Sequence, residues 1–145
     1  MWKIARAALA AGLVLAAAPT AARAHQIDPQ RFDSLLAAAR SYAEDRTLIF
    51  YCLRDNEEMA PFLYAGLHFD IDEAVEKLRA AGSDARQNAL LIEAVLTHVR
   101  FTSPDAKDPE LDRQCVAKDV EKNFEMLMGV GVPLAIRPPF KELKP

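Results

Sequence analysis

Apolar residues return every three or four positions along most of this chain, and short polar stretches rich in helix-capping residues separate the runs. Phe32, Leu35, Leu36, Ala39, Ala43, Phe50 and Leu53 lie on one stripe of a first helix. Asp28 is placed to cap it, with Pro29 at its first position. The unbroken apolar stretch from Leu48 to Leu53 reads as the buried end of that helix, because no partner strand is evident. Arg54 to Glu58 is a polar break. Pro61 to Leu67 then reads as a short apolar turn or helix.

Asp70-Ile71-Asp72-Glu73 has the form of a capping box, so a further helix is expected to start at Asp70 or Asp72. Its inner face is Ile71, Ala74, Val75 and Leu78, and Gly82 stops it. Asp84 caps the next helix, which is expected to run to about Arg100. Its apolar face is so wide, with Leu90 and Ala94 beside Leu91, Ile92, Val95, Leu96 and Val99, that it is expected to be the most buried. Asp108-Pro109 opens a last helix ending near Gly129, with Leu111, Cys115, Val116, Val120, Phe124, Leu127 and Met128 inward. The tail from Val130 to Pro145 holds four prolines and is expected to lie on the bundle as an extended strap. The pattern predicts an all-α fold: a small up-down bundle of about four main helices, with a Pro-rich C-terminal strap and one disulfide.

The amino-terminal pattern differs. Lys3 and Arg6 precede an apolar run from Ala7 to Ala18, and Ala22-Arg23-Ala24 sets small residues before a cut at His25. This is the layout of a secretory signal peptide over 1–24, too short to span a bilayer as a helix. Residues 25–145 then form a single helical domain, large enough for its own core, with 130–145 as its tail. The expected location is the periplasm or the medium, with no membrane anchor after leader removal. The leader takes Lys3, Arg6 and Arg23 and no acid, so 15 basic residues remain against 21 acidic ones, a net charge of −6. Such a surface gives no electrostatic reason to bind nucleic acid or anionic lipid.

The two cysteines, Cys52 and Cys115, fit neither a CxxC redox pair nor a haem-attachment motif. In an oxidising compartment they are expected to pair. Cys52 at the end of the first helix and Cys115 near the start of the last share one end of an up-down bundle, which makes the pairing geometrically sound.

Candidate chemistry is sparse. A mature chain beginning at His25 offers its α-amine and imidazole to one Cu(II), a donor set that suits that ion. At this one residue it resembles the histidine brace of exported monooxygenases and copper carriers. His68 and His98 are the other imidazoles that such a copper site has available. Asp70 to Glu73 gathers acids beside His68, but capping and helix-dipole effects account for them better than a cation site does. GxSxG, HExxH and EF-hand patterns are missing, and the few glycines provide no phosphate-cradling loop. The expected function is therefore non-enzymatic and needs no cofactor: an exported helical protein that binds a protein partner or a small ligand. The alternative is a copper-binding or copper-delivery protein using His25. For the first, Phe62, Tyr64 and Phe69 on the apolar run after Pro61, with Phe140 in the tail, are the candidate contact residues.

Overall fold

A computed structural model describes residues 27–120, 122 and 131–144. The described residues are helical and contain no strand. Four helices of substantial length, α1 (Pro29–Cys52), α2 (Ala60–Ala80), α3 (Ala85–Leu96) and α4 (Pro109–Ala117), precede a 3-10 turn at Leu134–Ile136 and a short α5 at Pro138–Lys141. The proposed leader and His25 lie outside the described residues, as do Phe124, Leu127, Met128 and the expected helix end near Gly129.

Three starts follow local chemistry. The Asp28 carboxylate accepts the backbone N–H groups of Gln30 and Arg31 ahead of Pro29. Asp84 accepts from the Gln87 N–H while the Gln87 side chain accepts from the Asp84 N–H, a complete capping box. Asp108 accepts from the N–H groups of Glu110 and Leu111.

The expected start at Asp70 or Asp72 is not there. Pro61 and Asp72 belong to one continuous helix, α2, and Asp70 sits in its buried interior. The Asp70 carboxylate is drawn inward by Arg46 of α1, with which it forms a buried ion pair, and by the Tyr42 hydroxyl, which donates to it at 2.7 Å. A long-range partner has overridden the local preference of aspartate for a cap.

Burial is also distributed differently from the stripe-width expectation. The helix at the centre is α1, which touches α2, α3, α4, α5 and the 3-10 turn. Its Leu35, Ala39, Tyr42 and Ala43 are completely covered. By contrast α3 packs, among the described elements, only on α1 and α2, and its Leu90 and Leu96 reach solvent. It also stops at Leu96, short of Arg100. There the Thr97 hydroxyl donates to the Glu93 carbonyl, and the Thr47 hydroxyl of α1 accepts the Arg100 N–H.

Among the described elements α4 touches only α1, and none of its residues is buried. Val116, expected inward, is 82% exposed. Among the contacts of the described residues that hold α4, two stand out. The Cys52–Cys115 disulfide joins it to the end of α1 with a Cα–Cα distance of 5.6 Å. The Tyr51 hydroxyl accepts the Asp108 N–H at 2.7 Å and donates to the Asp112 carboxylate at 2.8 Å.

The tail is a strap, but more helical than its prolines imply. Pro138 and Pro139 occupy the first turn of α5, where a missing N–H costs nothing. Leu134, Ala135 and Phe140 are completely buried where the strap packs on α1 and α2. Lys77 donates to the Ala135 carbonyl and Arg31 to the Glu142 carbonyl. Arg137 binds Asp45 at 2.7 Å and lies over the Tyr42 ring.

Candidate functional site

Among the described residues the clearest exposed apolar feature is the outer side of α2. Its inward row is Leu63, Leu67, Asp70, Ile71, Ala74, Val75 and Leu78. The opposite row, at spacings of three and four, is Phe62, Ala65, Phe69, Asp72 and Glu76, all exposed. Phe62 and Phe69 are 69% and 68% exposed. They lie seven residues apart, two turns along the helix on one side, about 10 Å from each other at 1.5 Å per residue. The apolar run after Pro61 therefore divides. Leu63 and Leu67 complete the core, while Phe62, Tyr64 and Phe69 face outward.

Tyr64 extends this face toward the end of the bundle. Its ring lies 5.4 Å from that of Phe50 and 5.0 Å from that of Phe101, and Phe50 and Phe101 meet edge-on at 4.9 Å. Such spacings are favourable for aromatic pairs. The three rings form one wall of a half-open cleft of about 240 Å³. Arg54, Glu57, Ala60 and Thr102 are among its other lining residues. Arg54 is committed elsewhere: it donates to the Tyr51 carbonyl, stacks on the Tyr51 ring and faces Asp112 at 3.7 Å.

Of the other candidates only His68, one turn from both Tyr64 and Asp72, borders this face. Phe140 is withdrawn from it, because the strap folds back and buries its ring in the core. His68 is exposed on α2, and His98 is exposed just past α3. The described residues hold no cluster of three His, Cys, Asp or Glu side chains arranged for a metal ion. The Thr97 hydroxyl lies 3.1 Å from His98 Nδ1, but its proton goes to the Glu93 carbonyl, so toward the imidazole it accepts. That is the reverse of an activated nucleophile. Asp70, first of the acids considered for chemistry, is occupied by Arg46 and Tyr42. Cys52 and Cys115 are both used in the disulfide.

Sequence reasoning missed two parts of the site. Phe101 lies in a loop with no periodicity to mark it, and only its being a large apolar residue between Arg100 and Thr102 signalled anything. The pairing of Asp70 with Arg46, which makes α2 continuous through the face, joins residues 24 apart and has no local signature.

The chain matches no family model, no curated protein and no solved structure. No helix among the described residues is long and apolar enough to cross a membrane.

Proposed function

We propose that this chain is a non-enzymatic exported helical protein that acts by docking a protein partner on the outer face of α2. One observation carries the reading: Phe62 and Phe69, each about two-thirds exposed, stand two turns apart on the same side of a rigid helix. Large exposed aromatics gathered on one element mark interaction surfaces more often than solvated ones do. A protein partner is favoured over a small ligand by size. The cleft beside Tyr64 measures about 240 Å³ and is half open, whereas small-molecule sites usually run from about 300 to 1,000 Å³ and enclose their ligand. Export to the periplasm or medium is supported by the amino-terminal charge and apolar pattern and by the paired cysteines.

The test uses tagged mature chain and the exported fraction of its own cells. A complex recovered with the native face is expected to be lost with Phe62→Ser/Phe69→Ser and kept with Val116→Ser, which alters an exposed apolar residue on α4. Retention of the same complex by the double variant would overturn the reading.

A further inference from the structure

The face on α2 carries a charge pattern that specifies its partner further. From Asp55 to Glu76 the chain has seven acidic residues and not one lysine or arginine. Two of the seven are neutralised within the fold, Asp70 by buried Arg46 and Glu76 by Arg79. Asp55, Glu57, Glu58, Asp72 and Glu73 make no ion pair among the described residues. Asp55, Glu57 and Glu58 sit in the turn before α2, ahead of Phe62. Asp72 and Glu73 follow Phe69. The two exposed phenylalanines are therefore bracketed at both ends by unopposed carboxylates. From the start of α2 at Ala60 to Asp72 the helix runs about 18 Å.

Lys77, the first base beyond this segment, is turned to the Ala135 carbonyl of the strap. The aromatic wall at Phe101 differs in charge, because Arg100 and Lys107 flank it in the loop. The acidic character is thus a property of the α2 face and the turn leading into it.

Resting on the docking function proposed above, we infer that the partner presents a basic amphipathic protein segment, with two apolar side chains about 10 Å apart flanked on both sides by lysine or arginine. The phenylalanines supply the desolvated centre, and the carboxylates form a polar rim that selects charge and speeds encounter. Like-charged surfaces, anionic lipid and nucleic acid among them, are repelled by the same rim.

The probe is a random dodecapeptide library displayed on phage. It is selected on the disulfide-bonded mature chain and counter-selected on Phe62→Ser/Phe69→Ser. Enriched peptides that discriminate the two baits are expected to combine aromatic or aliphatic residues with flanking Lys or Arg. Their affinity is expected to fall about tenfold as salt rises from about 0.05 to 0.3 M. It is also expected to fall about tenfold in Glu57→Gln/Glu58→Gln/Asp72→Asn/Glu73→Gln, as loss of several rim attractions implies. Circular dichroism of each variant confirms that the helices are kept. Discriminating peptides that are neutral or acidic, or basic peptides indifferent to the charge variant, would overturn this inference and leave the docking face standing. If no peptide discriminates native chain from Phe62→Ser/Phe69→Ser, the docking face fails as well.

Discussion

Arg46 and Asp70 are the charged residues on which the core depends most. Both are almost fully buried, and the Asp70 carboxylate accepts from Arg46 and from the Tyr42 hydroxyl. Removing one partner leaves the other charge uncompensated in an apolar setting. Asp70→Leu and Arg46→Met should each destabilise the fold by about 3–5 kcal/mol, while the double change should cost much less than the sum. Chemical denaturation of the three variants measures this, and additive losses would show that the pair is not coupled. Tyr42 has a pH consequence. Burial pushes its phenol well above its ordinary value of 10.0, and the nearby Asp70 carboxylate adds to the rise against the opposing charge of Arg46. The folded chain therefore holds this proton at a pH where the unfolded chain releases it. The associated stability is complete below about pH 10 and is lost as the pH climbs above it. Midpoints of denaturation measured across that range should fall less steeply in Tyr42→Phe than in the native chain. The copper alternative has its own test: it predicts that a chain beginning at His25 retains one copper in a native mass spectrum taken with one equivalent of Cu(II), and that His25→Ala does not; unchanged affinity in that variant would sink it.

Elements were legible in the sequence where local chemistry decides them. Asp28-Pro29, Asp84 with Gln87, and Asp108-Pro109 each start a helix where capping rules place one. The reading failed where distant residues intervene. Asp70 resembles a cap, but its partner lies on another helix, so two expected pieces are one continuous α2. The exposure of α4 was illegible for a related reason: its apolar spacing resembles that of a core helix, yet among the described elements it lies against α1 alone. Among the described residues only Leu111 and Cys115 of α4 pack, partly buried, against the core, so the disulfide and the Tyr51 contacts carry much of its attachment. Cys52→Ser and Cys115→Ser should each lower stability by a similar amount, at most roughly 4 kcal/mol for a loop of this length, and the double change should add little. Limited proteolysis should then cut first between α3 and α4. An unchanged cleavage pattern in the serine variants would mean that Tyr51 suffices.

At the scale of the described molecule, α1, α2, α3 and the strap supply most of the buried core, with Val120 beyond α4 joining it, and α4 lies at its side. The all-α class, four substantial helices, the cysteine pair and a tail lying on the bundle were all readable from periodicity, cysteine count and proline content. The division of the aromatic residues was only half readable. Phe62, Tyr64 and Phe69 are exposed, while Phe140 belongs to the core. No periodicity in a proline-rich tail says which of its apolar residues turns inward; the docking of the strap decides that. Phe140→Ala should therefore destabilise the chain by about 3–5 kcal/mol, as loss of a fully buried ring does. Phe62→Ala should stay within about 0.5 kcal/mol, as surface changes do. Thermal unfolding of both variants tests the contrast.

The strap also sets an order of events. Asp45 waits for Arg137, and Lys77 waits for the Ala135 carbonyl. Arg31, near the start of α1, waits for the carbonyl of Glu142. These contacts join residues 58, 92 and 111 positions apart, so α1 and α2 are fully covered only once the strap has docked. A fold closed by contacts so distant along the chain is slow to complete.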